Sequence, residues 1–300
     1  MEEVLIKYKG HTLPVLGFNT QQLGIPIILI HGLLYSAYFW MPKQLEFLFG
    51  YGPVYSISLP AHTPARAPTD WSGVDERTLV EATAKQIDSL VGEQQQVIIL
   101  GHSTGGTVAL AYALAHPDRV KGVVTLGAAH SGKEEGGILG LAQWAVLHLG
   151  APGRGLLYTT FWLNSVSLTL HRFLLKDVVA DSKKFFQHPE SEEFIDRYFP
   201  YQRKLDRKQM MMFFRDLIRI DLAKRLYSLK TPVLVMCGDK DPFVSHKRTR
   251  YLTDCLPNGH MYEIKDCGHW AMFEQPQQYE NAIRCFIDGL PLASESALDA

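Results

Sequence analysis

The chain has 300 residues, and 46% of them are hydrophobic, which is enough for a large buried core. Thirty Lys and Arg residues against 31 Asp and Glu residues give a net charge of −1, so the basic excess typical of a nucleic-acid-binding protein is missing. No apolar run reaches the roughly 18 residues of a membrane span, the acidic start lacks a signal-peptide pattern, and the four cysteines lack zinc-site spacing, so we expect a cytoplasmic protein without a transmembrane segment or a metal site.

Short β-rich runs alternate with longer helical stretches, which predicts an α/β fold with a mostly parallel sheet covered by helices. Residues 4–9 and 13–18 are predicted to form an initial hairpin. Near-continuous apolar runs indicate strands buried on both faces, at residues 25–30, 54–58, 97–100, 120–126, 232–237 and 260–265. Helices are predicted between them, at residues 37–49, 75–91, 105–116, 246–255 and 276–290.

Residues 131–227 break this alternation. They contain no convincing strand, but they have many aromatic residues and apolar residues at helical spacing. We therefore predict a helical cap at residues 131–227, inserted into a core that consists of residues 1–130 and 228–290.

Three further segments carry predictions of their own. The longest apolar run, residues 138–149, is interrupted by a glutamine and a histidine and is typical of a buried or interfacial helix. The basic pairs at residues 203–204 and 207–208 indicate a solvated helix face. The last ten residues, 291–300, are predicted to be a disordered tail.

One candidate nucleophile stands in a characteristic sequence context. Gly101, His102, Ser103, Thr104 and Gly105 are the only G-x-S-x-G in the chain, and they lie between a predicted strand and a predicted helix. A turn sharp enough to lift a serine clear of the sheet leaves little room for Cβ atoms around it, which explains the glycines. The following helix would direct its N-terminal amides at a developing oxyanion. The alternative is a glycine-flanked loop serine without chemistry.

This elbow makes the chain resemble the α/β-hydrolase superfamily, over roughly residues 5–290. The resemblance implies an α/β-hydrolase fold, with a mostly parallel central sheet flanked by helices and an inserted helical cap. It also implies a catalytic triad in the chain order serine, acid, histidine.

The candidate base lies near the C-terminal end of the core. Residues 266–270 form a glycine-containing loop between the last predicted strand and the final helix, and they resemble the family's catalytic-histidine loop. The resemblance makes His269 the general base that takes the proton of Ser103. Cys267 is a weaker rival nucleophile, because no elbow precedes it.

The candidate acid lies between the serine and the histidine in the chain. Residues 237–244 follow a predicted strand and resemble the family's acid loop, in which the second aspartate, Asp241, orients the histidine. Asp239 remains an alternative that is more typical of a turn. The other acid position known in this family would be at residues 127–130, which contain no carboxylate.

A loop after the strand at 25–30 resembles the family's oxyanion loop, with His31 and Gly32 at its start. The resemblance implies that the backbone N–H groups of Leu33 and Thr104 stabilise the oxyanion. The loop at residues 58–64 departs from the family pattern, because it keeps the proline but lacks the aspartate and the glycines. The supporting residues of the site would be His31, Gly32, Gly101, His102 and Gly105.

The function implied by this site is acyl transfer without a metal or an organic cofactor. The aromatic-rich cap favours a small-to-medium hydrophobic carboxylic ester as the substrate, and the sequence does not indicate the oligomeric state. A carbon–carbon bond hydrolase, a thioesterase, and an acyltransferase or haloperoxidase-like member would use the same triad. A slow or non-catalytic ligand receptor on the same scaffold is the alternative from another functional class.

Overall fold

The computed structural model of the chain describes residues 1–133 and 137–291. Its strands are, in chain order, β1 (Glu2–Tyr8), β2 (His11–Phe18), β3 (Ile27–Ile30), β4 (Val54–Ile57), β5 (Val97–His102), β6 (Val120–Leu126), β7 (Val233–Gly238) and β8 (Gly259–Ile264). They form one sheet in the order β1-β2-β4-β3-β5-β6-β7-β8. The pairs β1–β2 and β2–β4 are antiparallel, and β3 through β8 pair in parallel. The predicted hairpin and the mostly parallel sheet are confirmed.

Helices cover the sheet on both sides. In chain order they are α1 (Glu76–Val91), α2 (Thr104–Ala115), α3 (Gly137–His148), α4 (Ala151–Val166), α5 (Leu168–Leu175), α6 (Ser182–Gln187), α7 (Pro189–Arg203), α8 (Arg207–Leu217), α9 (Ala223–Leu226), α10 (His246–Asp254), α11 (Ala271–Glu274) and α12 (Pro276–Asp288). None of the helices within the described ranges is long and apolar enough to cross a membrane.

The central strands are apolar at nearly every position because both faces of the sheet are covered. In β3, Ile28 and Ile30 belong to one buried cluster, and Ile27 and Leu29 belong to another. Successive side chains of a strand point to opposite faces, so a strand between two helical layers needs apolar residues throughout. This packing explains the continuous apolar runs in the sequence.

The helix predicted at residues 37–49 is wrong. The segment instead forms two short 3-10 helices, Ala37–Phe39 and Pro42–Leu48. Met41 has an extended backbone (φ −83°, ψ 135°). A residue before proline avoids the helical region, and Pro42 also lacks the N–H that would continue the helix.

Between β6 and β7 the described residues form seven helices, α3 to α9, and no strand. We call these helices, together with the loops between them, the cap. Phe161, Phe213 and Phe214 of the cap are buried in the same apolar cluster as one face of the sheet, so the cap is seated directly on the core. The domain boundaries at 130/131 and 227/228 stay a prediction. Residues 134–136 and 292–300, which include nearly all of the proposed tail, lie outside the described residues.

The topology brings the ends of several strands to one edge. Because β3 and β5 to β8 are parallel, the loops that follow them lie on the same side of the sheet. Such an edge is where open α/β sheets bind their ligands. Ser103 follows β5, and the loops that contain Asp241 and His269 follow β7 and β8.

Candidate active site

Ser103 occupies a sharp turn between β5 and α2. Its backbone has φ 52° and ψ −122°, a region that residues other than glycine rarely adopt. A Cβ atom at Gly101 would lie 2.4 Å from the carbonyl oxygen of Gly105, and a Cβ at Gly105 would lie 2.3 Å from that of Ile30. Both positions therefore require glycine, and the turn holds Ser103 at the strand end.

His269 and Asp241 form a buried hydrogen-bonded pair. Nδ1 of His269 donates to Oδ2 of Asp241 at 2.7 Å, and the two side chains are 6% and 1% exposed. The other carboxylate oxygen, Oδ1, accepts the amides of Phe243 (2.9 Å) and Val244 (3.0 Å). A Cβ at Gly127 would lie 2.8 Å from the His269 ring and 3.0 Å from Oδ2 of Asp241. Residue 127, the first of the alternative acid position at residues 127–130, therefore has to be a glycine.

The two candidate aspartates have different surroundings. Burial raises the pKa of Asp241, but the charge and hydrogen bond of His269 and the two loop amides outweigh burial, so the pKa lies below its ordinary value. Asp239 instead accepts the amide of Cys267 at 3.1 Å, as a turn-forming residue does. Burial also raises the pKa of the Cys267 thiol, which weakens it as a nucleophile. The geometry brings Asp241, and not Asp239, to the histidine.

Ser103 and His269 line one cavity between the core and the cap. Its walls are mainly apolar and include Leu34, Tyr35, Phe161, Leu175, Val178 and Trp270. Asp177 is the charged residue among the described lining residues, and none of them is Lys or Arg. No group of three or more His, Cys, Asp or Glu side chains within the described ranges is arranged to hold a metal ion.

The loop after β3 packs against the serine turn. A Cβ at Gly32 would lie 2.9 Å from Nδ1 of His102 and 3.1 Å from Cβ of Ser103. Leu33 and Thr104 both line a second, smaller cavity beside Ser103. Their amides have no hydrogen-bond acceptor among the residues that the structure describes. They are thus available to a ligand oxygen.

His31 supports this loop through two hydrogen bonds of its ring. Its Nδ1 donates to the carbonyl of Gly32 at 2.9 Å, and its Nε2 accepts the amide of Leu59 at 3.1 Å. Burial, together with the nearby His62, lowers the pKa of His31 well below its ordinary value, so the ring is neutral. The divergent loop at residues 58–64 thus supports His31 and is not part of the described lining of the Ser103 cavity.

His102 connects the serine turn to the histidine loop. Its Nε2 donates to the backbone carbonyl of His269 at 3.1 Å, and its ring stacks on Phe39 with a centroid distance of 5.1 Å. Burial lowers the pKa of His102 to about 3, with a smaller contribution from His269. His102 is therefore a neutral donor that fixes the loop of the candidate base.

Sequence reasoning missed Glu274. Its carboxylate accepts hydrogen bonds from the amides of Gly268 (3.0 Å) and Trp270 (3.2 Å), the two neighbours of His269 in the chain. It also accepts the amide of Ala180, in the cap, at 2.6 Å. The amide of His269 itself donates to a cap carbonyl, that of Val178, at 2.9 Å. Glu274 therefore ties the cap to the histidine loop. No motif marks this residue, and only its place in the short helix after that loop offered a hint.

Comparisons with known proteins agree with this architecture. Residues 25–276 match the family described as the alpha/beta hydrolase fold. The chain is 25% identical over 207 residues to a 2-hydroxy-6-oxononadienedioate/2-hydroxy-6-oxononatrienedioate hydrolase of Pseudomonas putida. That alignment covers 64% of this chain and 63% of the relative, so the chain spans less than two thirds of the relative's length.

Two solved structures resemble the chain over nearly its whole length. A thermophilic esterase from Thermogutta terrifontis is 18% identical, with a TM-score of 0.71 and coverage of 96% of this chain and 98% of that one. A 2-hydroxy-6-oxo-6-phenylhexa-2,4-dienoate hydrolase from Rhodococcus sp. strain RHA1 is 20% identical, with a TM-score of 0.73 and coverage of 96% and 99%. These likenesses concern the fold alone, and the family match extends over most of the sequence. The chain belongs to the α/β-hydrolase fold family.

Proposed function

We propose that the protein is a serine hydrolase that cleaves a hydrophobic carboxylic ester through an acyl-enzyme intermediate. The observation that carries this proposal is the buried hydrogen bond between Asp241 and His269, because His269 lines the same cavity as Ser103. A serine hydroxyl becomes a good nucleophile only when a positioned base removes its proton. The cytoplasmic location, the ester-like small-molecule substrate and the lack of a nucleic-acid partner stay predictions.

In the proposed reaction, Ser103 attacks the ester carbonyl while Nε2 of His269 takes its proton. Asp241 accepts the hydrogen bond of Nδ1, which selects the tautomer and stabilises the imidazolium. The amides of Leu33 and Thr104 donate to the tetrahedral oxyanion, and one such donor typically lowers the barrier by about 3 kcal/mol. His269 then protonates the leaving alcohol, and water repeats the sequence to release the acid.

The walls of the cavity support a neutral, apolar substrate. Phe161 and Leu175 of the cap and Leu34 and Trp270 of the core all line it. The described lining includes the carboxylate of Asp177 and no cation, which disfavours an anionic ligand. The methionines of α8, Met210 to Met212, are not among the described residues that line this cavity, and Met210 is buried in the apolar cluster.

A second candidate is hydrolysis of a carbon–carbon bond in a 2-hydroxy-6-oxo acid. It is favoured by the names of the Pseudomonas putida relative and of the Rhodococcus structure, which denote hydrolases of such acids. These substrates carry carboxylate groups, for which the described lining of the Ser103 cavity offers no cationic partner. We therefore place ester hydrolysis first.

A substrate panel separates the two candidates. We expect kcat/KM to rise from p-nitrophenyl acetate to the hexanoate, because each buried methylene contributes up to about 0.8 kcal/mol, roughly fourfold. The comparison substrate is 2-hydroxy-6-oxo-6-phenylhexa-2,4-dienoate, measured under the same conditions. Faster turnover of this acid would favour the second candidate, and faster turnover of acetate than of hexanoate would contradict the apolar acyl site.

The nucleophile is identified by covalent labelling. A fluorophosphonate should label the wild-type protein at Ser103, whereas Ser103→Ala should not label and should lose about 10³-fold or more of the ester turnover. Ser131→Ala is the matched control, because Ser131 lies beside the same turn, in the second cavity. Labelling of Ser103→Ala at the wild-type rate, or loss of labelling in Ser131→Ala, would exclude Ser103 as the nucleophile.

The acid is identified by a pair of isosteric substitutions. Asp241→Asn should reduce kcat by about 10³- to 10⁴-fold, because the amide favours the wrong histidine tautomer. Asp239→Asn should stay within about threefold of wild type, because its oxygen can still accept the Cys267 amide. If Asp239→Asn instead loses more of its kcat than Asp241→Asn, Asp239 is the acid that orients His269.

Asp241→Asn should also change the free energy of unfolding, by an amount that depends on pH. Because the folded-state pKa of Asp241 is lowered, its ionised form stabilises the fold above the unfolded-state pKa of about 4. That stabilisation is lost as the pH falls through the lowered pKa. The free energies of unfolding of wild type and Asp241→Asn should therefore differ at neutral pH and converge in acid, as measured by urea titration. A constant difference would contradict the assignment.

Glu274 should act as a positioning residue for His269. Burial raises the pKa of Glu274, and the amides of Ala180, Gly268 and Trp270 oppose that rise. Glu274→Gln replaces one acceptor oxygen by a donor group, so we expect kcat to fall about 10- to 100-fold with little change in KM, since a small displacement of the base is enough. Glu280→Gln, on the next helix, is the control. Equal kcat in both variants would refute the role.

A further inference from the structure

The cap exposes many large apolar side chains. Of the fifteen such side chains that are exposed among the described residues, nine lie between positions 141 and 173. They are Leu141, Trp144, Leu147, Leu149, Leu156, Tyr158, Trp162, Val166 and Phe173. Scattered exposed apolar residues are normal in soluble proteins, whereas a concentration of them marks an interaction site.

All of these side chains except Leu149 belong to three consecutive helices, α3 to α5. Helix α3 packs against α4, and α4 packs against α5. On α4, Tyr158, Trp162 and Val166 follow one another at four-residue spacing and therefore share one face. The residues Leu157 and Phe161 of the same helix are buried in the apolar cluster. The helix thus has two apolar sides, one packed and one exposed.

The charges in this part of the chain have one sign. Residues 137–176 contain two arginines, one lysine and no aspartate or glutamate. Arg172 pairs with Glu192 of α7, and the ammonium of Lys176 lies 5.7 Å from the centre of the Phe173 ring. The segment therefore combines exposed apolar groups with cations and has no carboxylate of its own.

Two arginines that follow later in the chain extend this pattern. Arg203 and Arg207 line a shallow surface depression together with Trp162 and Val166. The guanidinium of Arg207 lies 5.5 Å from the centre of the Tyr158 ring and bonds only weakly to its hydroxyl, at 3.4 Å. Because tyrosine is neutral, this contact does not cancel the positive charge. The basic residues predicted to share one helix face lie instead at the end of α7 and the start of α8, and Arg203 and Arg207 among them border Trp162.

We propose that the exposed side of α3 to α5, with Arg203 and Arg207, is a docking face for an anionic lipid bilayer. Trp and Tyr side chains partition to the boundary between lipid headgroups and acyl chains, and Leu and Phe side chains enter the outer acyl region. Arginines at the margin bind lipid phosphates and are attracted to an anionic surface. Docking of this kind is peripheral and requires no membrane-spanning helix.

Charge favours a bilayer over a second copy of the chain as the occupant. Two docking faces placed against each other would mainly oppose cations to cations, because residues 137–176 contain no carboxylate and a single one, the exposed Asp206, lies between Arg203 and Arg207. Repulsion between like charges in an interface is costly. An anionic bilayer supplies both the apolar environment and the counter-charge.

The docking face lies next to the Ser103 cavity. Thr160 and Phe161 of α4 and Leu174 and Leu175 of α5 line that cavity, while other sides of the same helices are exposed. The bilayer would therefore lie about one helix diameter, roughly 10 Å, from the cavity. Docking does not depend on the proposed ester hydrolysis, and the two can be tested separately.

Vesicle flotation with the 300-residue chain tests the proposal. We expect the protein to float with phosphatidylcholine vesicles that contain about 30% phosphatidylglycerol, and to bind pure phosphatidylcholine at least about tenfold more weakly. The double substitution Trp144→Ser with Trp162→Ser should weaken binding to the anionic vesicles by about tenfold or more. Val4→Ser with Leu23→Ser removes exposed apolar groups elsewhere and should bind within about twofold of wild type.

Parallel measurements make each outcome decisive. Circular dichroism melting verifies that both double variants fold, and turnover of a soluble p-nitrophenyl ester reports the proposed catalytic function independently. Absence of flotation at low salt, or equal binding by the tryptophan variant and wild type, would overturn the proposal. So would a wild-type dimer in sedimentation velocity that the tryptophan substitutions convert to a monomer, because the face would then be a protein interface.

Discussion

One buried hydrogen bond, from His269 to Asp241, is the constraint around which the edge of the sheet is arranged. It joins the loops after β7 and β8, and the amides of Phe243 and Val244 satisfy the remaining carboxylate oxygen. A buried carboxylate without such partners would be costly, so the loop conformations and the pair support each other. Gly127, at the end of β6, is required because any side chain there would occupy the position of the pair.

Local chemistry explains which features could be predicted from the sequence. The continuous apolar runs predicted the buried strands, and the glycines around Ser103 predicted a turn that no other residue type would fit. The prediction of one helix at residues 37–49 was wrong because the apolar residues there suit a helix, whereas Pro42 forces Met41 into an extended conformation and divides the segment. Glu274 could not be found, because its role arises from amides of two segments that meet only in three dimensions.

The cap has two kinds of apolar surface. Its inner side chains, such as Phe161 and Leu175, close the cavity above the sheet edge, and this packing supports the proposal of an apolar substrate. Its outer side chains, such as Trp144 and Trp162, are exposed although their burial would be favourable. In the sequence, the apolar run at residues 138–149, interrupted by a glutamine and a histidine, indicated only a buried or interfacial helix. Only the folded arrangement separates the packed positions from the exposed ones.

The central claim is that Ser103, His269 and Asp241 act as one catalytic unit. Residues that act as a unit have strongly non-additive effects on the rate, because removing one member already abolishes the contribution of the others. Single-turnover rates with a p-nitrophenyl ester should be measured for Ser103→Ala, His269→Ala and the double variant. We predict that the double variant is no slower than the slower single variant. If the two losses instead multiply, the side chains act independently, and the proposed mechanism is contradicted.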